Sequence, residues 1–281
     1  MRWIARRAAT APAFLAALAL ASWSALPARG AEPNPALAEG PLSVAASVDA
    51  LGLVRRAVPR TEVALGLAAG LVLDEPGFYG MAQGALRVEG SWAITPRWEV
   101  SGSLEALQFR YVQNATLSET SYALGAFTAG VTWVALSRPE GWLDLAPYVR
   151  LLFPTSLEYR NTRVAGGEAG VSASGLATSF LGWYAGVSLP VTGAFSDAGD
   201  QIRSGLSAVA GGSWTPLRWF RLSLQLTGSF PLGDPMQQLA AGLGLRFAAG
   251  RAGIELDGVL PFAGTSRFDA AVMLRGAWRL D

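Results

Sequence analysis

The sequence predicts an all-β chain, a transmembrane antiparallel β-barrel of about twelve strands, with ten or fourteen as the neighbouring counts. Three observations predict it. Apolar and polar residues alternate with a period of two in runs of about ten, the pattern of a membrane-barrel strand. The chain is 51% hydrophobic and 15% charged yet carries 33 glycines, which is apolar for a soluble domain and too glycine-rich for a helical bundle. The tryptophans gather at one end of these runs, as an interfacial girdle would.

The first thirty residues read as an address. Arg2, Arg6 and Arg7 form a positive n-region, Ala13 to Leu26 is an uncharged apolar stretch, and Ala28-Arg29-Gly30 offers small residues for cleavage after Gly30. Fourteen apolar residues fall short of the ~20 a spanning helix needs. The chain therefore divides into a signal peptide (1–30), an N-terminal periplasmic segment or plug (31–61) and the barrel (62–281). Within the middle segment, Ser43 to Arg56 could add a strand or a short helix. All 22 basic residues are arginine, and Arg2, Arg6, Arg7 and Arg29 leave with the signal. The mature chain has a formal charge of about −3 and no basic cluster, a poor basis for nucleic-acid binding. The absence of cysteine excludes disulfides, thiolate metal sites and a lipid-modified N-terminal Cys.

The strands follow in order. In residues 252–262, Ile254, Leu256, Gly258, Leu260 and Phe262 share one parity while Glu255 and Asp257 take the other. The same grammar marks runs near 62–73, 81–94, 98–109, 122–136, 142–153, 161–173, 177–189, 203–214, 218–230, 238–248, 252–262 and 268–280. The sixth run is glycine-rich and alternates poorly; it is inferred because its neighbours both run outward. Short turns fall at Thr95-Pro96-Arg97-Trp98, at Thr215 to Trp219 and at Ala248 to Arg251. Prolines that lack the ladder N–H are expected to end strands and open longer loops at Pro154, Pro190, Pro231 and Pro261. With short turns periplasmic, both barrel ends lie on that side. Seven of the eight mature-chain tryptophans then fall near it: Trp92, Trp98, Trp133, Trp142, Trp214, Trp219 and Trp278. Residues 169–196 carry no charge, but their density of Gly, Ser and Thr and the interruption at Pro190 argue against a spanning helix.

Leu274-Arg275-Gly276-Ala277-Trp278-Arg279-Leu280 resembles the alternating terminal strand of bacterial outer-membrane β-barrel (porin-like) proteins, departing from it by ending in Leu280-Asp281 instead of an aromatic residue. The resemblance is of architecture and covers roughly 62–281. It implies an outer-membrane location, a lipid-embedded wall and recognition of the last strand by the barrel assembly machinery.

Chemistry is sparse. The chain has no histidine, which removes the usual general base and the commonest metal ligand. Outer-membrane phospholipases and omptin-like proteases resemble it in size but depend on a catalytic His. No enzyme activity, cofactor or metal is expected. Glu255 and Asp257 share a strand face, and electrostatic lining is their ordinary reading. Inward positions are mostly small (Ala64, Gly66, Ala68, Gly70, Thr128, Gly130, Ser207, Gly211, Ala240, Gly242 and Gly244), and twelve strands enclose more room than the eight whose side chains can fill a barrel. The charged inward candidates are Arg87, Glu89, Glu99, Glu105, Arg150, Arg221, Arg246, Glu255, Asp257 and Arg275. They read equally as the lining of a solute path or as cross-strand ion pairs. Counting across the turns sets Arg246 opposite Glu255 and Arg87 opposite Glu105. The leading expectation is a passive channel for small hydrophilic solutes; the alternative is a closed structural or surface-binding barrel plugged by its N-terminal segment.

Overall fold

The computed structural model describes residues 59–72, 80–113, 118–125, 127–138, 142–153, 163–195, 201–232, 238–264 and 270–280. The expected signal peptide and nearly all of the N-terminal segment, Ser43 to Arg56 included, lie outside them.

The described residues form one antiparallel sheet. Its strands are β1 (Glu62–Val72), β2 (Gly80–Thr95), β3 (Trp98–Gln113), β4 (Ser118–Ala123), β5 (Phe127–Trp133), β6 (Leu136–Ser137), β7 (Asp144–Phe153), β8 (Arg163–Leu176), β9 (Leu181–Phe195), β10 (Gln201–Leu217), β11 (Phe220–Pro231), β12 (Gln238–Ala249), β13 (Ala252–Gly264) and β14 (Ala270–Arg279). Strands consecutive in sequence pair except at β4–β5 and β5–β6, and β1 pairs with both β2 and β14, which closes the wall among the described residues. β4 and β5 both pair with β3, and β5 and β6 both pair with β7, so these three segments occupy one position. The barrel has twelve strands.

Alternation decides which side chain faces where. In β1, Val63, Leu65 and Leu67 are exposed while Glu62, Ala64 and Ala68 are buried. β13 repeats this, with Ile254, Leu256 and Leu260 exposed and Asp257 and Val259 buried. A closed sheet with its large apolar residues outside and its carboxylates inside is inverted relative to a soluble barrel, and a bilayer is the surrounding that favours it. All seven tryptophans of the expected girdle are exposed. Trp98 pairs with Trp133 and their rings stack at 5.8 Å; Trp219 stacks on Phe247 at 6.3 Å. Trp183, which the sequence left out of the girdle, stands at the third residue of β9 and so belongs to the same end.

Two expectations need correction, and a third, weakly marked one holds. Pro190 and Pro261 do not end their strands: β9 continues to Phe195 and β13 to Gly264. The ladders absorb them. Pairing of β9 with β10 skips from Ser188 to Val191, and a bulge beside Pro261 shifts β13 against β12, so neither missing N–H interrupts an otherwise regular ladder. Pro216 likewise sits inside β10 at a register shift. The run at 122–136 is not one strand but β4, β5 and β6. Gly125, between β4 and β5, lies against the Glu105 side chain, and its N–H donates to the Glu105 carbonyl. The doubtful sixth run is a regular strand of 14 residues, β8, paired along most of its length with β7 and β9.

Gly250 shows how the tightest turn is built. Ala249 pairs with Ala252, leaving Gly250 and Arg251 as a two-residue hairpin loop, and Gly250 has φ of +60°. Glycine meets the positive φ that such turns demand at little steric cost.

Candidate functional site on the inner face

The ten charged candidates are buried or half-buried while most of the large apolar residues that alternate with them are exposed, and the register brings most of the ten together on one side of the barrel. Starting from β11, the register sets Arg221 opposite Arg246, Arg246 opposite Glu255, and Glu255 opposite Arg275. Arg275 then faces Gly66, Gly66 faces Arg87, and Arg87 faces Glu105. These residues form a belt across seven strands, β11 to β14 and β1 to β3. Arg246–Glu255 and Arg87–Glu105 match the counting across the turns; the Arg221–Arg246 pairing was not anticipated.

Arg275 is the hub. Its guanidinium reaches Glu62 at 2.6 Å, Glu89 at 3.0 Å and Glu255 at 3.4 Å, joining carboxylates from three strands to its own. Glu89 also lies 3.2 Å from Arg87, which donates to Ser103 at 3.0 Å, and Ser103 shares a 2.6 Å hydrogen bond with Thr128. The network extends from β13 to β5. It joins β1 to both of its neighbours, at the seam where the first and last strands meet. Glu62, the first residue of β1 and 6% exposed, was missed in the sequence because it begins its strand.

The opposite wall holds a second polar group. Arg150 of β7 is opposite Glu168 of β8. The Tyr148 hydroxyl donates to Glu168 at 3.0 Å, and the Arg150 guanidinium lies 5.1 Å from the Tyr148 ring centroid. Tyr184 of β9 donates to the Leu224 carbonyl at 3.1 Å. Glu168 escaped sequence reading because β8 alternates weakly. Tyr148 and Tyr184 take the inward parity of β7 and β9 but carry no charge to mark them in the sequence.

The small inward residues have a second use. A Cβ on Gly211 would collide with the Tyr184 phenol, and one on Gly170 with the Tyr148 phenol. Glycine here seats a long side chain flat against the wall. Part of the room expected for water is therefore filled by tyrosine.

At the short-turn end the chain entering β1 touches the inner face. The Arg60 N–H donates to Glu99 at 2.8 Å, its carbonyl accepts from Ser91 at 3.0 Å, and the Ala93 N–H donates to the Thr61 hydroxyl at 3.3 Å. Ser91 and Glu99 point inward, so the backbone at Arg60 lies within the rim. Arg60 is half-buried, and burial, followed by the neighbouring charges of Arg279 and Arg246, pushes its pKa down to about 10. It is still a cation at neutral pH.

No family model and no curated protein matches the sequence. Solved structures do. An outer membrane channel from Pseudomonas putida F1 superposes with a TM-score of 0.55 at 13% identity, over 79% of this chain and 95% of that one. The beta domain of a Bordetella autotransporter gives 0.53 at 11% identity, over 79% of this chain and all of that one. The translocator domain of the autotransporter NalP from Neisseria meningitidis gives 0.52 at 13% identity, over 86% of this chain and all of that one. The fold is that of bacterial outer-membrane β-barrels.

Proposed function

We propose that this chain is a passive outer-membrane channel for small hydrophilic solutes. The observation that carries this reading is the inner face of a closed twelve-stranded wall, lined by charged, hydroxyl and small side chains while the outer face is apolar. Such an interior is costly to leave dry, because charges gain from water what a protein interior only partly returns. In this reading residues 1–30 direct export and are removed, the last strand is recognised by the assembly machinery, and the protein performs no chemistry.

The Arg60 backbone bonds to Ser91 and Glu99 support a second reading, in which the segment before β1 is held inside the rim and occludes the lumen. A conductance measurement in planar bilayers separates the two. The mature protein, compared with a variant lacking residues 32–58, should conduct stably in both forms if the channel reading holds. Conductance appearing only in the deletion variant supports the plugged barrel, and its absence from both folded proteins overturns the channel.

A further inference from the structure

We propose that Asp257, with Ser223 and Gln225 beside it and Met273 and Val259 on its flank, forms a lumenal subsite for small organic ammonium solutes, molecules that carry a primary amine on an apolar body. The proposal rests on the channel reading, because it names a class of solute that the wall would select.

The Asp257 carboxylate is a buried charge that the wall leaves unbalanced. Asp257 stands midway along β13, on the inward parity, and is 4% exposed. Among the described residues, no hydrogen bond or ion pair reaches its carboxylate. The inward arginines of the two flanking strands are engaged elsewhere. On β14, the Arg275 Nη2 lies 2.6 Å from Glu62, its Nε 3.0 Å from Glu89 and its Nη1 3.4 Å from Glu255, so every nitrogen of that fork serves a glutamate. On β12, Arg246 leans toward the Gly250 turn: its Nη2 and Nε lie 3.6 and 3.7 Å from where a Cβ on Gly253 would sit. A buried carboxylate without a partner is costly, and a solute cation is the counter-charge that these strands do not supply.

Two glycines gather the polar groups around it. Gly244 and Gly242 of β12 are the cross-strand partners of Asp257 and Val259. A Cβ on Gly244 would collide with the Asp257 carboxylate and the Ser223 hydroxyl together, and one on Gly242 with the Gln225 amide. Side chains of β11 and β13 thus meet over the bare backbone of β12. The Ser223 hydroxyl donates to the Gly244 carbonyl at 3.3 Å, which leaves its oxygen able to accept. An ammonium group brings three N–H donors, and the carboxylate and this hydroxyl oxygen are acceptors for them. The flank selects the body of the solute. Met273 faces Asp257 across the β13–β14 ladder, and both it and Val259 are 3% exposed. Hydrocarbon on that side suits an amine with an apolar body. One carboxylate with a hydroxyl and an amide falls short of the six or so oxygen ligands that calcium takes.

The test uses the full mature protein, with benzylammonium as the probe and benzyl alcohol as its neutral counterpart. Isothermal titration in detergent should show binding of benzylammonium but not of benzyl alcohol. In planar bilayers the amine should reduce the potassium current at low salt, with the effect fading as ionic strength rises. Asp257→Asn should weaken both binding and block at least about tenfold, the scale of one charge-assisted hydrogen bond. Its urea midpoint should stay the same or rise, because the substitution removes a carboxylate that no protein cation balances. Gly244→Ala, which sets a methyl where the carboxylate and the hydroxyl meet, should also weaken binding.

A lowered midpoint or failure to fold in Asp257→Asn would show that the carboxylate serves the wall, and would overturn the subsite. Binding of calcium in place of benzylammonium would overturn the organic-cation class. A protein that does not conduct yet binds benzylammonium through Asp257 would retain the subsite and overturn the channel. A conducting protein that neither binds nor is blocked by the amine would overturn the subsite and leave the channel standing, as would binding that survives Asp257→Asn unchanged.

Discussion

Three carboxylates converge on the single guanidinium of Arg275, so its removal differs in kind from the loss of any one of them. With Arg275→Met, Glu62, Glu89 and Glu255 face one another without the cation between them. Arg87 still lies 3.2 Å from Glu89 and Arg279 4.0 Å from Glu62, which offsets part of the loss. Breaking a buried ion pair from one side costs about 3 kcal/mol or more, and the Arg275 side chain is only 8% exposed. Urea unfolding of the detergent-folded protein should show destabilisation of about that size, with Arg275→Lys recovering only part, because one ammonium cannot reach three carboxylates with the reach of a fork. Glu255→Gln, at the longest of the three contacts, should cost less than about 1 kcal/mol. Equal losses for Arg275→Met and Glu255→Gln would show that the hub does not act as one.

At the scale of elements, the β12–β13 hairpin is the most locally determined part of the wall. Gly250 occupies positive φ, where a Cβ meets the following carbonyl at a cost of roughly 1–2 kcal/mol. Gly250→Val should therefore slow folding into detergent and lower stability by about that amount, and Gly250→Asn should be nearly neutral. No atom lies within 4 Å of a Cβ built at Gly250, so any loss reports backbone strain and not crowding. At Gly211 the cause would be the reverse. There a side chain meets Tyr184, and Gly211→Val should displace the tyrosine from its hydrogen bond to Leu224, visible as a change in near-ultraviolet circular dichroism at fixed far-ultraviolet signal.

For the whole molecule, the short turns all fall at one end, together with Glu62, Arg279 and the tryptophan girdle. If that end is periplasmic, the sequences joining β7 to β8, β9 to β10 and β11 to β12 face outward. A single Cys at Ser156, Asp197 or Asp234 should then react with an impermeant reagent on intact cells, while a Cys at Arg97 or Arg251 should react only after the outer membrane is opened. The reverse result would invert the barrel and place the short turns at the cell surface. It would leave the fold and the inner-face network as they are.

The sequence alone determined the strand type, the twelve-fold count, the parity of the inner face and two cross-strand registers, because a period of two is local and a short turn fixes the pairing beside it. Arg246 opposite Glu255 and Arg87 opposite Glu105 were legible for that reason. Only the closed wall decided which of the charged residues meet. Glu62 and Arg275 are 213 residues apart, and nothing in either neighbourhood indicates that β1 and β14 are partners in a salt bridge until the barrel closes. The Arg60 backbone meets Ser91 and Glu99 for the same reason, since its position follows from where the chain enters the rim. β8 and the strand-internal Pro190 and Pro261 were obscured in the sequence because pairing on both sides can hold a glycine-rich or proline-bearing segment extended that would not by itself favour that state. Local periodicity specifies the wall; closure of the first strand on the last assembles the charges within it.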